Sequence, residues 1–326
     1  MKSLLCHNLA WAGVLSLGLA APIAVHAQNY PTKPVRVIVP FSPGGAADVP
    51  GRILLTKLSE VLGQQVLVDN RPGAGSTIGA EIVSRAPADG YTLLMISNTH
   101  VISAALYKTL KYDAIDDFTP ILEFGDAPNV LVIHPSLPVK TVKDLLALAK
   151  AKPGQIDYAS SGNGSSQHLF TALFTSMAGI KMNHIPYKGS AQARSDLIGG
   201  QIMVGMPGIS SVVQNIKDGR LRALGVTGDK RSSELPNVPT IAEAGVKGYE
   251  ATLWLGLLGP KGLPREVVTR LNEEVAKLAK NTGYQQQLQN IGTDVVYRGP
   301  EQWAAFLKSE RAKWAKVVKE TGAQVN

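Results

Sequence analysis

The stretch Val35-Arg-Val-Ile-Val-Pro-Phe-Ser-Pro-Gly-Gly-Ala-Ala-Asp48 decides the fold. Val35, Val37 and Val39 alternate with Arg36 and Ile38 in a β-branched run, which predicts a strand over residues 35–40. Pro40, Pro43, Gly44 and Gly45 break that run, and Ile53, Leu54, Leu58 and Leu62 then recur at helical spacing. The reading is strand, tight loop, helix N-terminus. Free backbone N–H groups and the helix dipole make such a point a ready site for an anion. Gly44 and Gly45 let a ligand approach the backbone closely. A lone Pro-Gly-Gly turn also fits an ordinary β–α connection, so the loop needs a second signal before it marks a site.

That signal is Ile156-Asp-Tyr-Ala-Ser-Ser-Gly-Asn-Gly-Ser-Ser-Gln-His-Leu169, again a short strand, a Gly/Ser loop and a helix. The helix carries Leu169, Leu173, Phe174 and Met177, and Ser165 or Ser166 serves as its N-cap. Two such loops, far apart in sequence, predict two lobes that present helix N-termini to one shared anionic ligand.

The 326 residues are 44% hydrophobic and 18% charged, a globular composition with room for one large or two medium domains. Residues 1–27 read as a secretory leader: Lys2 at the start, an apolar run from Leu9 to Ala21, and small residues leading to a cut after Ala27, which makes Gln28 the mature N-terminus. An uncleaved anchor is the alternative, but Pro22 breaks the apolar run and the run is short for a span. The formal net charge of +8 becomes 8 − 1 = +7 without Lys2. Cys6, the sole cysteine, leaves with the leader and takes disulfide, thiolate and cysteine-nucleophile chemistry with it. The Lys and Arg residues form no dense tract interleaved with aromatics, so nucleic acid is not an expected partner.

Along the rest of the chain, strands at residues 65–70 and 91–96 alternate with helices, which predicts a parallel sheet covered on both faces. Asp126-Ala-Pro128 reads as a crossing point. Beyond it come strands at 130–134, 182–187, 200–206 and 221–226, with helices at 139–150 (capped by Thr141), 191–198 and 211–218. Thr240 with Glu243 has the spacing of a capping box opening a further helix, and residues 249–258 cross back. Two amphipathic helices close the chain, one from Pro264 and one from Pro300. The division expected is 1–27 leader, 28–127 with 254–326 as lobe 1, and 128–253 as lobe 2. The fold class is α/β.

Tyr30-Pro-Thr-Lys-Pro-Val-Arg-Val-Ile-Val-Pro-Phe-Ser-Pro-Gly-Gly-Ala-Ala-Asp48 resembles the start of a Bug-family, TctC-like receptor. Asn70-Arg-Pro-Gly-Ala-Gly75, Ala88-Asp-Gly-Tyr-Thr-Leu93, Ser160-Ser-Gly-Asn-Gly-Ser165, His184-Ile-Pro-Tyr-Lys-Gly189, Leu221-Arg-Ala-Leu-Gly-Val-Thr227 and Pro236-Asn-Val-Pro-Thr-Ile-Ala-Glu-Ala-Gly245 continue the match in order. The resemblance implies a type II, Venus-flytrap periplasmic binding protein with two crossovers. Such a protein delivers a small carboxylate to the membrane subunits of a tripartite tricarboxylate transporter. It also implies that the loops matching residues 42–48 and 160–166 hold a ligand carboxylate, partly through ordered waters. The segments matching Ser97-Asn-Thr-His100, Lys188-Gly189 and Gly205-Met-Pro207 border the cleft. Many members place an acidic residue near the last of these. Ile202-Met-Val-Gly-Met-Pro207 has none, which disfavours an amino acid whose ammonium needs a carboxylate.

The expected ligand-binding set is therefore Ser42, Pro43, Gly44, Gly45, Ala46, Asp48, Asn98, Thr99, Ser160, Ser161, Gly162, Gly164, Ser165, Ser166, His168, Lys188, Gly189, Met206 and Pro207. Asp48 would repel a carboxylate, so it is expected to turn onto backbone N–H groups or pair with Arg52 at i,i+4. His168 reads either as a structural histidine or as a contact, Lys188 as a cation at the rim, and Met206 as core or contact. No histidines stand at metal-ligand spacing, and no Walker loop, nucleophile elbow or complete dinucleotide fingerprint is present, so neither a metal nor a cofactor is expected. The leading function is a periplasmic, monomeric, non-enzymatic receptor for a mono- or dicarboxylate, aromatic acids included. A ligand sensor or partner protein with the same fold and a secreted hydrolase are the alternatives.

Overall fold

The computed structural model describes residues 30–323. The leader and its cleavage point lie outside the described residues. Two sheets organise the chain. The first contains β1 (Val35–Val39), β2 (Val66–Asn70), β3 (Thr92–Ser97), β4 (Phe118–Pro128), β10 (Thr252–Pro260) and β11 (Asp294–Arg298), in the order β11-β4-β10-β3-β1-β2. The second contains β5 (Val130–Ile133), β6 (Asp157–Ser160), β7 (Asn183–Pro186), β8 (Val204–Gly205) and β9 (Arg222–Val226), in the order β7-β6-β8-β5-β9. The chain changes sheet at Asn129, between β4 and β5, and returns through the segment between β9 and β10.

Neither sheet is wholly parallel, contrary to the expectation from β/α alternation. β1 runs parallel to β2 and β3, but β10 is antiparallel to both β3 and β4, and β11 is antiparallel to β4. In the second sheet β6 is parallel to β7 and β8, while β5 is antiparallel to β8 and β9. β5 and β10, by which the chain enters each sheet directly from the other, are reversed because no covering helix returns the chain to the far end of the sheet; β11 is reversed without a crossing. The pairing of β4 with β10 extends to Pro128 opposite Thr252 and Ala127 opposite Leu253.

The helices are α1 (Asp48–Leu62), α2 (Thr77–Ser84), α3 (Thr99–Leu106), α4 (Val142–Ala151), α5 (Ser166–Ala178), α6 (Ser190–Ile198), α7 (Ile209–Lys217), α8 (Arg265–Leu278), α9 (Thr282–Gln289) and α10 (Pro300–Thr321). Several begin on the caps their sequences dictate. Thr141 accepts from Asp144 N–H and completes a capping box, and Ser165 accepts from His168 N–H. Thr240 and Glu243 also exchange capping-box hydrogen bonds, yet only a turn follows, because Gly245 at φ +122 ends the run. The strand expected over residues 200–206 is paired only at Val204 and Gly205. Sequence reading did not place α3, α9 or β11, and of β4 it read only Asp126–Pro128, as a crossing point.

The core of the first lobe runs under α8 and α10, whose inward residues Val267, Leu271, Val275, Trp303 and Trp314 are buried. Buried Glu310 accepts from the indole N–H of both Trp254, at 2.7 Å, and Trp314, at 2.8 Å. Trp314 also stacks on Phe170 of α5, with ring centroids 5.5 Å apart, so α10 reaches across to the helix that follows the second Gly/Ser loop.

Candidate functional site

A cleft of about 440 Å³ opens between the two sheets. Five helices begin on its wall: α1 at Ala46 and Ala47, α2 at Ser76, α3 at Thr99, α5 at Ser165 and Ser166, and α6 at Gly189 and Ser190. Each start turns a positive dipole end toward one space, although the N–H groups of Ser76 and Thr99 are already taken, by the Gly73 carbonyl and Ser97 Oγ. Among the described residues, the N–H groups of Ala46, Ala47, Ser166 and Gln167 have no internal acceptor. Among the described residues, Lys188 is the single charged side chain on the wall, and no Asp, Glu or Arg lines it. The chemistry on offer is the binding of an anion by dipoles, hydroxyls and one exposed cation.

The first Gly/Ser loop faces the Gly189–Ser190 start of α6 across the cleft. A side chain at Gly189 would meet Ser42 Oγ at 3.1 Å, and one at Gly45 would meet Ser190 Oγ at 3.2 Å. Thr99 Oγ1 lies 3.2 Å from Ser166 Oγ, and Ser166 Oγ donates to Asn98 Oδ1 at 3.1 Å. Asn98 in turn donates to the Thr252 carbonyl in the returning crossover strand.

Of the residues expected from sequence, Ser42, Gly45, Ala46, Thr99, Ser161, Gly162, Ser165, Ser166, Lys188 and Gly189 line the cleft. The others stand behind it. Asp48 is 1% exposed; its carboxylate accepts from Gly44 N–H at 2.9 Å, Arg52 at 2.8 Å and Asn70 at 2.8 Å. It holds the first loop from beneath, and it occupies the Gly44 N–H that a ligand would otherwise use. Pro43 and Gly44 form the outer turn of that loop, away from the cleft wall. Asn98 is buried under Ser166. Ser160 and Gly164 are tied to His184 and His168, and the Gly164 N–H is likewise taken. Met206 is wholly buried, with Tyr249 hydroxyl against its sulfur, so its side chain is core. Pro207 carries the carbonyl that receives Val130 N–H.

Sequence reasoning missed a third loop. Pro72, Gly73, Ala74, Gly75 and Ser76 line the cleft, with Ala74 at φ 45 and Ser76 at φ 74 in the left-handed region. Non-glycine residues there are held by their surroundings; here Ser103 Oγ donates to the Gly75 carbonyl at 2.5 Å and Ser76 Oγ to that of Pro40 at 3.4 Å. The Asn70-Arg-Pro-Gly-Ala-Gly75 run signalled a loop but not its role. Asn163 and Gln167 line the wall from within the second Gly/Ser loop and the first turn of α5, and Tyr107, Asn129 and Tyr187 are brought there only by the tertiary fold. Burial raises the Tyr107 phenol above its ordinary range, so it faces the cleft as a neutral hydroxyl.

Residues 51–323 match the family described as the tripartite tricarboxylate transporter family receptor (TctC). The chain is 37% identical to Protein BugT of Bordetella pertussis over 314 residues, 96% of each chain. Its fold is similar to that of Rpa4515 of R. palustris, solved with adipate, at TM-score 0.87 and 37% identity over 91% of this chain and 100% of that one. It is also similar to MatC from Rhodopseudomonas palustris, solved with bound malate, at TM-score 0.83 and 28% identity, with coverage of 89% and 100%.

Proposed function

The chain belongs to the tripartite tricarboxylate transporter receptor family, and from that premise we propose that it is a periplasmic receptor that closes on a small carboxylic acid and passes it to a membrane transporter. The observation that carries the reading is the cleft wall itself. Five helix N-termini converge there, and among the described residues Lys188 is the only charged side chain on it and no carboxylate lines it. A carboxylate placed against Ala46, Ala47, Ser166 and Gln167 would accept N–H groups that otherwise have no partner, and the hydroxyls of Ser42, Ser161 and Ser165 stand on the same wall. Hydrogen bonds to a charged acceptor contribute about 1.5–3 kcal/mol each.

The absence of an acidic residue on the wall disfavours an amino acid, whose ammonium would go unpaired. Adipate in one structural neighbour and malate in another support acids of four to six carbons as the first to try. Closure follows from the division of the site. Each lobe supplies part of the wall, the lobes are joined near residues 127–129 and 250–254, and ligand favours the closed arrangement by its differential affinity.

A thermal-shift screen of mono- and dicarboxylic acids on the protein from Gln28 onward tests the reading, since a ligand that binds only the folded state raises Tm by mass action. Adipate, malate or a related acid should raise Tm in a saturable way. A panel of such acids with no effect, alongside a shift from an amino acid or a neutral solute, would overturn it. Loss of uptake of the same acid on deletion of the gene separates transport from sensing.

A further inference from the structure

We propose that the stacked imidazoles of His168 and His184 brace the 160–166 loop in its ligand-holding shape, with His168 a positioning residue rather than a ligand contact. The proposal rests on the reading of that loop as part of a carboxylate site.

His168 lies in the first turn of α5 and points away from the cleft, into a second cavity of about 630 Å³ behind the loop. Its ring stacks on that of His184 from β7, with centroids 4.0 Å and planes 6° apart, and Tyr158 of β6 continues the column 5.0 Å beyond. Gly164 N–H can only donate, and it points at His168 Nδ1, 3.2 Å away. Nδ1 therefore carries the lone pair and Nε2 the proton.

His184 Nε2 lies 2.6 Å from Ser160 Oγ, which also meets Gly162 N–H and the Gly162 carbonyl, each at 3.1 Å. A hydroxyl has one proton and two lone pairs. All three partners are satisfied when His184 Nε2–H and Gly162 N–H donate to Ser160 and Ser160 gives its own proton to the Gly162 carbonyl. The His168 ring is then neutral, and His184 donates from Nε2. Their two bonds pin Gly162, at φ +126, and Gly164, at φ +76, the glycines on which the loop turns.

Protonation of His168 Nδ1 would set one N–H against another at Gly164 and place a cation over the neighbouring ring. Burial resists this: it lowers the pKa of His168 to about 4 and that of His184, with His168 beside it, to about 3. Tyr158 faces His184 from β6. Glu320 of α10 borders the same cavity, ion-paired with Lys316 at 3.8 Å, and among the described residues it is the only charged group there. The brace is thus in place at neutral pH and is released in acid.

Asparagine at position 168 puts an amide oxygen where Nδ1 stands, and leucine puts none. Hydrogen exchange of the Gly164 amide in the ligand-free protein should stay slow in wild type and His168→Asn and rise at least about tenfold in His168→Leu. Adipate affinity should stay within about threefold in His168→Asn and fall at least about tenfold in His168→Leu, the scale of one lost buried hydrogen bond. The ratio of wild-type to His168→Asn affinity at each pH, in which the titration of adipate cancels, should fall as pH drops from about 6 to about 4. Unchanged Gly164 exchange in His168→Leu, or equal loss in both variants, would overturn the proposal. Should His168→Leu fail to fold, the protection factor of Gly164, its exchange relative to the intrinsic rate at each pH, decides: a fall in acid in wild type alone supports the brace, and the same trend in His168→Asn contradicts it. If wild type does not bind adipate, the ligand reading fails by itself and Gly164 exchange still decides the brace.

Discussion

Ser166 Oγ donates to Asn98 Oδ1 at 3.1 Å, joining the first turn of α5 in one lobe to the end of β3 in the other. Both residues are buried, and Asn98 also reaches the returning crossover at Thr252. Under the proposed closure, this bond forms as the lobes come together. A typical hydrogen bond contributes about 0.5–1.5 kcal/mol. Ser166→Ala should therefore weaken acid binding by roughly 2–10-fold in calorimetry. An unchanged affinity would mean the pair does not contribute to closure.

Gly208 packs on Ala46 across the cleft, where any side chain would collide with the Ala46 methyl. Its φ of −63 suits alanine, so Gly208→Ala adds bulk without backbone strain. The variant should keep the ligand-free Tm within a few degrees, lose at least about tenfold in affinity, and show no ligand-induced compaction in small-angle scattering. Normal compaction in the variant would remove this contact from the closing surface.

Lys188 is exposed, lines the cleft and has no carboxylate partner among the described residues. Lys188→Met should reduce affinity by about 3–10-fold, a modest effect because water screens an exposed charge. It should also flatten the dependence of the association rate on salt, measured by stopped flow. A loss of several hundredfold would instead make Lys188 the principal anchor.

Stability should fall on both sides of neutrality. Burial raises Glu123, which is fully buried beside Arg298, and Asp126 next to it well above ordinary carboxylates. The folded state then keeps protons that the unfolded state has released, so stability present below the unfolded pKa is lost as pH rises toward the folded one. His100, His168 and His184 are lowered by burial from 6.5, so the unfolded state binds protons first as pH falls, and stability is lost below about pH 6.5. Glu123→Gln should flatten the decline of Tm between about pH 6.5 and 9, where the histidines no longer titrate. The same alkaline decline in Glu123→Gln would mean the carboxyl titrates normally.

The two Gly/Ser loops were legible in the sequence because proline, glycine and serine end a strand and open a helix by local chemistry alone. The wall they share was only partly so. The loop at Pro72–Ser76 depends on Ala74 and Ser76 being held at positive φ by Ser103 and the Pro40 carbonyl, which residue type does not announce. Tyr107, Asn129 and Tyr187 reach the cleft from three separate elements. Strand direction was hidden as well, since a buried strand such as Leu253–Leu258 reads alike in either orientation. Helix α9, with only Tyr284 and Leu288 turned inward, has too weak a period to stand out. His168 illustrates the reverse case: Gln167 beside it lines the cleft, while its own side chain packs behind it.

The central claim is that a carboxylate is held by helix N-termini and hydroxyls with no arginine clamp. Calorimetry on the acid giving the largest thermal shift, beside its methyl esters, tests this most directly; for a dicarboxylic acid both monoesters and the diester are needed. Esterification removes the charge that the unpaired N–H groups of Ala46, Ala47, Ser166 and Gln167 would meet. Losing two charge-assisted hydrogen bonds of about 1.5–3 kcal/mol each predicts a fall of about a hundredfold or more for at least one ester. Affinities for all esters within about threefold of the acid, less than the roughly 1.4 kcal/mol of a tenfold change, would contradict the account.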